Sequence, residues 1–524
     1  MATDLLALTA RPRSADQEVS VGIGHNWAGR RAGLRNFVNR MVTPSAWAAA
    51  RSLAHARPAP FWLDQPGAPE RAPALRGDAC ADLAVVGGGF TGLWTALLAR
   101  QRDPSADIAL LEARAVGWAA TGRNGGFCSA SLTHGLANGI SRFPAEIARL
   151  EQLGRENLDE IEAALGRYGI DCGFERTGEL AVATAGWQLE GLSETAAAAR
   201  EYGGDVVLLD AAEVRAELAS PTYLGGVWHK DACAILDPAR LAWGLRRACL
   251  ETGVRIYEGT PVQGISGRDR GRGRDRAPGR GGGAGLRLAT PGGGLSAARV
   301  ALATGTYPPL LRRLRHYLVP VYDYVLMSEP LSAAQLASIG WRNRQGVGDT
   351  ANQFHYYRLT GDNRILWGGY DAVYYNGGRI TAAQDQRPET FAKLAVQFFE
   401  TFPQLEGLSF THTWGGVIDT CSRFCAFFGT AHRGRLGYAA GYTGLGVGAS
   451  RFGANVILDL LGGEPTERTG LQMVSSRPLP FPPEPVRSAV IQLTRASIAR
   501  ADRNEGKRDL WLRTLDRMGL GFDS

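Results

Sequence analysis

Three glycines and one carboxylate near the start of the chain have the residue types and the spacing that hold a dinucleotide. Gly87, Gly89 and Gly92 follow an apolar stretch and precede a helix pattern, and Glu112 comes 20 residues after Gly92. Such glycines let the backbone approach a pyrophosphate at a helix N-terminus, and the carboxylate can accept hydrogen bonds from ribose hydroxyls. The spacing predicts a dinucleotide site; an ordinary βαβ unit without a ligand is the alternative.

Two further glycine-rich segments could complete such a site. The segment from Arg123 to Gly126 reads Arg-Asn-Gly-Gly, so it combines a fixed cation for a phosphate with backbone that approaches a planar ligand closely. Residues 441–448 contain four glycines and open a helix pattern. The N–H groups at the start of that helix form a positive pole suited to a delocalised negative charge.

The apolar pattern predicts the elements that position these segments. Strands are expected at 82–86 and 108–111 on either side of a helix at 90–102. A later strand at 436–440 leads through the second glycine turn into a helix at 449–461. Strands that alternate with helices in this way are typical of a parallel sheet with a dinucleotide at its edge.

The residue pattern of the chain changes between these strands and helices. Residues 188–218 are expected to be helical, residues 317–369 form short β-rich aromatic segments, and a helix is expected at 388–402. The predicted fold class is therefore α/β: a Rossmann-like dinucleotide-binding domain assembled from separated segments, with an inserted β-rich substrate domain of the α+β type. The predicted boundaries are 1–78 for a partly irregular N-terminal extension, 79–175, 225–315 and 410–465 for the dinucleotide-binding domain, 176–224 and 316–409 for the substrate domain, and 466–524 for a C-terminal helical tail.

Composition excludes several classes of protein. The chain has 524 residues, and no apolar run approaches the roughly 20 residues of a membrane helix, so no membrane span is expected. The formal charge is +7, but the Arg/Gly-rich insert at 267–285 lacks interleaved aromatic residues, so no nucleic-acid partner is expected. The seven cysteines have no metal-ligand spacing and no secretory signal is evident, which predicts a cytoplasmic protein with reduced thiols and no metal site.

The glycine segments together resemble the FAD-dependent D-amino acid oxidase superfamily, also called the glycine or sarcosine oxidase-like family. The likeness is strongest to its γ-glutamylputrescine oxidoreductase-like branch and spans roughly residues 60–465. The residues that carry it are Val85 to Leu93, Gly117 and Trp118 with Arg123 to Gly126, Ala303 to Gly305, and Gly441 to Gly446.

The resemblance implies FAD as the cofactor and an enzyme that oxidises a C–N bond of a small amine or amino acid. In such enzymes a hydride passes to flavin N5, and the imine is then hydrolysed, so positioning matters more than an acid–base pair. The flavin-linking cysteine of sarcosine-type oxidases falls near Gly415 by motif spacing, which favours non-covalent FAD, although Cys421 and Cys425 lie a little further on. The cofactor-binding residues that the resemblance implies are Gly87, Gly89, Phe90, Thr91, Gly92, Glu112, Ala113, Arg123, Asn124, Gly125, Gly126, Val262, Thr304, Gly305, Gly441, Gly444, Leu445, Gly446 and Val447.

Two positions depart from the family pattern. The lysine with which sarcosine-type oxidases activate oxygen falls about at Trp367, so slow reaction with oxygen is expected and the electron acceptor is O2 or another molecule. Their carboxylate-binding lysine falls about at Gly448, so a short α-amino acid substrate loses an expected anchor.

Aromatic residues of the β-rich region are the candidates for the substrate side. Strand alternation places His355 and Tyr357 on one face and Tyr356 and Arg358 on the other. His355, Tyr357 and Trp367 are the candidate catalytic residues facing the flavin and substrate, and ordinary core packing is the alternative for each.

Two other functions fit part of the pattern. Glu112 suits NAD as well as FAD, so an NAD-dependent dehydrogenase is one alternative. A flavoprotein that acts on a nucleic acid or another non-amine substrate is the second. The Arg-Asn-Gly-Gly segment and the second glycine turn favour FAD, because NAD-binding folds do not need them. The sequence leaves the oligomeric state open.

Overall fold

The computed structural model describes residues 44–267, 285–307 and 309–518. The expectations for residues 1–43, for nearly all of the Arg/Gly-rich insert and for the last six residues of the tail lie outside this part of the chain.

The described residues form two large sheets, one small sheet and flanking helices. The strands, in chain order, are Ala79–Val86 (β1), Ile108–Leu111 (β2), Phe127–Ser129 (β3), Glu179–Ala183 (β4), Val206–Leu209 (β5), Gly225–His229 (β6), Cys233–Ile235 (β7), Arg255–Tyr257 (β8), Gly264–Gly267 (β9), Leu286–Thr290 (β10), Gly293–Leu302 (β11), Val319–Ser328 (β12), Gly346–Asp349 (β13), His355–Leu359 (β14), Ile365–Gly369 (β15), Phe410–Thr420 (β16), Phe427–Ala431 (β17) and Leu436–Ala440 (β18). The α-helices are Pro44–Ser52 (α1), Phe90–Arg102 (α2), Leu136–Arg142 (α3), Ile147–Arg167 (α4), Leu189–Glu201 (α5), Ala211–Glu217 (α6), Pro238–Glu251 (α7), Ala333–Ile339 (α8), Pro388–Thr401 (α9), Ala449–Gly462 (α10), Glu467–Gly470 (α11), Gln472–Ser475 (α12), Val486–Arg503 (α13) and Leu510–Arg517 (α14).

The first sheet has the strand order β17-β18-β11-β1-β2-β8, and β10 and β9 extend it beside β11. β1 pairs in parallel with both β2 and β11, and β11 pairs in parallel with β18. Apolar residues of α2, α7 and α10 share one buried core on this sheet. Parallel strands need such crossover helices, and the arrangement confirms the predicted α/β class with a Rossmann-like sheet.

The second sheet has the order β16-β12-β15-β14-β13-β4-β6-β5. It is antiparallel except where β13 meets β4. Residues 225–229 and 410–420, which the sequence-based boundaries give to the dinucleotide-binding domain, pair here as β6 with β4 and as β16 with β12. Long-range strand pairing thus moves both boundaries into the β-rich part of the chain.

The sequence predicted that residues 188–218 are helical, but the structure shows that the helix is not continuous there. They contain α5 and α6 with β5 between them, and β5 is the edge strand of the second sheet, paired with β6. The helical periodicity on either side hides this short strand, whose residues Val206 and Leu209 are buried.

The strands on either side of the Arg/Gly-rich insert pair with each other. β9 and β10 pair antiparallel, with Gly267 opposite Leu286. No helix within the described ranges is both long enough and apolar enough to cross a membrane.

Candidate functional site

A cavity of about 1500 Å³ lies between the two large sheets. One side is formed by the residues that follow the carboxyl ends of β1, β2, β11 and β18, where ligands of open parallel sheets bind. The other side is a face of the second sheet, built from β12, β14 and β16. The volume exceeds the roughly 300–1,000 Å³ of a pocket for one small ligand, so a cofactor and a substrate fit together.

The first glycine turn needs its glycines because neighbouring backbone packs closely against it, whether or not a ligand is bound. A Cβ on Gly87 would collide with the carbonyl oxygen of Ala303, and one on Gly92 would collide with that of Gly87. Gly89 is the N-cap of α2 and has no side chain to cap it, and the hydroxyl of Thr121 accepts only from the Phe90 N–H (3.2 Å). The first N–H groups of α2 lack helical partners, so they present a positive pole to the cavity.

Glu112 is buried beside this turn and holds it in place. Its carboxylate accepts hydrogen bonds from the N–H of Gly88 (2.6 Å), the N–H of Arg114 (2.8 Å) and Nε1 of Trp118 (2.8 Å). Burial raises the pKa of Glu112. A carboxylate offers about four lone-pair sites, so the side chain keeps capacity for a further donor.

Arg123 lines the cavity but is already paired. Its Nη1 donates to Asp385 Oδ2 (2.7 Å) and to the carbonyl of Gly415 (3.0 Å), and Nε1 of Trp414 donates to the Arg123 carbonyl (2.8 Å). The role of Arg123 as a fixed cation for a phosphate stays a prediction, and the pairing with Asp385 offsets part of its charge. Arg123 ties its loop to the second sheet, because β16 passes beside it.

The rest of this loop is shaped by its own side chain and by close packing. Asn124 Oδ1 accepts from the N–H of Gly126 (2.8 Å). A Cβ on Gly125 would lie 2.7 Å from Cε2 of Tyr356, and one on Gly126 would collide with the Leu236 carbonyl. Gly125 therefore brings the loop against the second sheet.

The second glycine turn has an open face. A Cβ on Gly444 would have no atom within 4 Å, and one on Gly446 would meet only Tyr442 at 4.0 Å. The turn leads into α10, whose N-cap Gly448 is not capped by a side chain. Asp419 lines the cavity here and accepts from the Gly441 N–H (2.7 Å), and burial raises its pKa to about 6.

Most of the predicted cofactor residues are brought together. Gly92, Gly126 and Gly441 do not line the cavity, because each is packed against other parts of the chain. The predicted residues that do line it are Gly87, Gly89, Phe90, Thr91, Glu112, Ala113, Arg123, Asn124, Gly125, Val262, Thr304, Gly305, Gly444, Leu445, Gly446 and Val447.

His355, Tyr357 and Trp367 do not line the cavity, contrary to the sequence prediction. Their rings stack on one another, with centroids 4.9 Å apart for His355 and Trp367 and 4.5 Å apart for Tyr357 and Trp367. Phe398 of α9 packs edge-on against Trp367. The physical reason is that α9 covers this face of the sheet, so the three rings belong to its core.

The opposite face carries Tyr356, which the sequence offered only as one of several aromatic candidates, and Asp323, which sequence reasoning missed. The hydroxyl of Tyr356 donates a hydrogen bond to Asp323 Oδ2, and both residues line the cavity. Burial raises the pKa of Asp323 to about 6. The signal that could have found this pair is an acid in the middle of the apolar and aromatic strand Val319–Ser328.

Strained backbone gathers around the cavity. His134, Tyr370, Phe424 and Thr443 line it and have φ values of 62°, 67°, 57° and 51°. Residues other than glycine rarely adopt this region, least of all a β-branched one such as Thr443. Strain of this kind concentrates at functional sites.

The C-terminal tail forms one wall of the cavity. Asp502 of α13 accepts from the N–H groups of Asn352 (3.0 Å) and Gln353 (2.9 Å), and the hydroxyl of Tyr374 donates to Glu484. These contacts hold the tail against the second sheet. The tail residues that line the cavity are Leu479, Pro480, Phe481, Pro482, Val490, Ile491, Thr494, Arg495, Ile498 and Leu515.

Known proteins resemble this chain in sequence and in fold. A family model described as FAD dependent oxidoreductase (DAO) matches residues 82–460. The chain is 32% identical over 397 residues to γ-glutamylputrescine oxidoreductase of Escherichia coli (strain K12), covering 73% of this chain and 84% of the relative. It is 26% identical over 400 residues to the probable oxidoreductase OrdL of Haemophilus influenzae, covering 73% and 83%.

A solved structure agrees in fold. Glycine oxidase from Geobacillus kaustophilus superposes with a TM-score of 0.59 at 20% identity, covering 74% of this chain and 96% of that chain. The chain belongs to the family of FAD-dependent oxidoreductases, and FAD is its cofactor. This membership decides against the NAD-dependent alternative.

Proposed function

We propose that this FAD-dependent oxidoreductase oxidises a C–N bond of a small amine or amino acid to an imine, which water then hydrolyses. The observation that carries the proposal is that a glycine-lined cradle and a face bearing Asp323 and Tyr356 meet in one cavity. The names of two similar proteins, γ-glutamylputrescine oxidoreductase and glycine oxidase, support a substrate that bears an amine.

The residues present fit FAD. The first turn of α2 after Gly89 would hold the pyrophosphate, Glu112 would accept from the adenosine ribose, and Val262 would meet the adenine. The open face at Gly444 and Gly446 is a cradle that any Cβ would fill, and it leaves room for the planar ring. The positive pole of α10 would stabilise negative charge on that ring.

We further propose that FAD is held without a covalent bond. None of the seven cysteines lines the cavity, although all lie in the described residues. Cys421 and Cys425 are buried, and the thiol of Cys421 donates to the Cys425 carbonyl (3.1 Å). Burial raises the pKa of Cys425 to about 12, so it is not a thiolate at neutral pH. Acid precipitation should leave the flavin in the supernatant; flavin in the pellet would contradict this.

FAD, when bound, supplies the acceptor for the two electrons and the hydrogen that leave the carbon of the C–N bond. The chain's own residues bind and orient the substrate so that this carbon faces the cradle. The nitrogen gives up a proton, and Asp323 is a carboxylate within the cavity that can take it. The tail limits the access of water until the imine forms and is hydrolysed to a carbonyl compound and an amine.

We propose that reaction with oxygen is slow and that another acceptor takes the electrons. Lys230, Lys393 and Lys507 are all the lysines of the chain, and none lines the cavity. Trp367, at the expected place of the oxygen-activating lysine, is buried in the core behind the second sheet. Stopped-flow reoxidation of the reduced enzyme by air-saturated buffer measures this, and a rate typical of oxidases would refute it.

Anaerobic bleaching of the flavin tests the reaction class. The purified protein, loaded with FAD, is mixed without oxygen with a panel of alkyl amines, diamines, N-methyl amines and α-amino acids. At least one amine-bearing compound should reduce the flavin, and mass spectrometry should find the matching carbonyl product. An enzyme that no amine-bearing compound reduces, while dithionite does, would contradict the proposed function.

A further inference from the structure

Asp323 and Tyr356 form a built polar pair on the cavity face of the second sheet. The Tyr356 hydroxyl donates to Asp323 Oδ2. A Cβ on Gly125 or on Gly368 would come within 2.7 Å of the Tyr356 ring. Two glycines on separate elements therefore make the space that fixes Tyr356, and Tyr356 in turn fixes the carboxylate beside the flavin-side loop.

Asp323 forms no ion pair in the part of the chain that the structure describes, although it lies near enough to His355 to be affected by the charge of that ring. Among the other carboxylates of the cavity, Asp385 pairs with Arg123 (2.7 Å) and Asp349 with His355 (2.6 Å). Glu112 and Asp419 form no ion pair among the described residues but accept from backbone N–H groups on the cofactor side, and Glu179 also has no ion pair there. A buried carboxylate without a counter-ion is unfavourable in the free protein. A cation that enters the cavity would therefore gain from meeting Asp323.

The basic side chains that line the described cavity are already engaged or neutral. Arg123 and Arg495 each pair with an aspartate, at 2.7 and 2.9 Å. Arg114 lies over an indole ring, 4.3 Å from its centroid, on the Glu112 side. Burial lowers the pKa of His134, which favours its neutral form. A substrate carboxylate thus finds no free cation beside Asp323.

We propose that Asp323 anchors the ammonium group of the substrate, so that the enzyme acts on an amine whose reacting carbon carries no carboxylate rather than on an α-amino acid. The proposal rests on the proposed oxidation of a C–N bond. Tyr356 and the backbone at Tyr324 and Gly369 hydrogen-bond to the carboxylate, which has about four lone-pair sites, so capacity for an ammonium donor remains. Hydrogen bonds between two charged groups are about twice as strong as neutral ones, which favours the cation.

A pair of probes of equal shape and opposite charge tests the anchor. tert-Butylamine has no hydrogen on its amine-bearing carbon, so it binds without being oxidised, and pivalate is its anionic counterpart. Each is titrated into the FAD-loaded enzyme, and binding is read from the shift of the flavin absorption spectrum. The enzyme should bind tert-butylamine at least about tenfold more tightly than pivalate, and Asp323→Asn should remove most of that preference.

Two further variants distinguish a loss of the amine-binding carboxylate from a general effect of substitution on the fold. Asp362→Asn is the matched control, because Asp362 lies at the turn between β14 and β15 and pairs with Arg364 away from the cavity. It should leave both affinities unchanged. Tyr356→Phe keeps the ring but removes its donor, so it should reduce the preference for the amine less than Asp323→Asn does.

Three results would overturn the assignment: tighter binding of pivalate by the parent enzyme, unchanged binding of tert-butylamine by Asp323→Asn, or unchanged binding by both cavity variants. In the anaerobic panel, faster reduction by α-amino acids than by alkyl amines would also overturn it. Those results differ from a failure of the proposed function, in which no amine-bearing compound bleaches the flavin although the probes still bind.

Discussion

Asp323 is an ionisable residue that weakens the fold it belongs to. Burial raises its pKa from 3.8 to about 6, so the folded chain binds this proton more tightly than the unfolded chain does. Stability therefore falls as the pH rises between about 4 and 6. Because the raised pKa of Asp323 reflects a cost of the charged form, Asp323→Asn should increase the free energy of unfolding at pH 7.5, by on the order of 1 kcal/mol, and far less at pH 4.

Urea unfolding of the apoprotein at both pH values measures this effect of Asp323→Asn. A variant that is less stable than the parent at pH 7.5, or equally affected at both pH values, would show that the carboxylate stabilises the fold instead. If Asp323→Asn gains stability and loses amine binding, Asp323 serves function at the expense of stability.

Gly446 is the second residue whose replacement separates cofactor binding from folding. A Cβ there meets only Tyr442 at 4.0 Å and needs no positive φ, so Gly446→Val fills the cradle without straining the chain. We expect FAD binding to weaken by about 1–3 kcal/mol while the apoprotein unfolds as before. Gly462→Val at the end of α10 is the control, since its Cβ also meets open space and it does not line the cavity.

Fluorescence titration of apoprotein with FAD measures the effect of Gly446→Val. Equal affinity in parent and variant would remove the second glycine turn from the cofactor site.

The residues that the sequence revealed are those whose partners are close along the chain. Gly87, Gly89 and Glu112 belong to one local βαβ unit, so their spacing alone indicates their common place. Arg123 failed this test because its partner Asp385 lies 262 residues further on. No local pattern indicates that this guanidinium is paired within the chain.

At the scale of elements, strand β14 shows what alternation can and cannot predict. The sequence correctly separated His355 and Tyr357 from Tyr356 and Arg358. It did not indicate which face meets the cavity, because α9 decides that by covering the other face. A period of two fixes relative orientation and leaves the choice of side to tertiary packing.

Two adjacent tyrosines of β14 should therefore behave oppositely. The hydroxyls of Tyr357 and Tyr223 share a buried hydrogen bond of 2.5 Å, so Tyr357→Phe leaves one polar group unpaired. It should lower the free energy of unfolding by about 1–3 kcal/mol without changing the rate of anaerobic flavin reduction. Tyr356→Phe should slow reduction by the preferred amine and change stability less.

Flavin reduction rates and urea unfolding of both variants test whether Tyr356 faces the cavity and Tyr357 faces the core. A Tyr357→Phe enzyme with a normal stability and a slow reduction would place the catalytic face on the side of α9.

At the scale of the whole molecule, the substrate side depends on a segment outside the family match. The match ends at residue 460, and α13 with its preceding loop lies beyond it. Ile491 of this helix lines the cavity, whereas Leu493 is 47% exposed. Ile491→Trp should weaken binding of long amines by about 1–3 kcal/mol and leave FAD content unchanged, and Leu493→Trp should change neither.

Anaerobic titration with alkyl amines of increasing chain length measures the effect of Ile491→Trp. Equal losses for the shortest and longest amines would show that the tail does not bound the substrate. The apolar tail residues are typical of a surface helix in sequence, and only their docking on the second sheet indicates a place in the cavity.

We propose that the chain divides into a FAD-binding domain around the first sheet and a substrate domain around the second. In this division β12, which begins at residue 319, and the strands β6 and β16 belong to the substrate domain. β6 and β16 look like strands of either domain, and only their pairing with β4 and β12 assigns them. Strand partners far apart in sequence carry no local signal.

The place of the tail in the chain gives the cavity an order of assembly. Proteins are synthesised from the N-terminus, so residues 476–518 leave the ribosome after both sheets are complete. Without these residues the cavity lacks the wall that the tail forms, and we expect a large cofactor to enter more readily before they dock. Once they dock, only smaller molecules have free passage, and a loaded enzyme should exchange its FAD with the surroundings slowly.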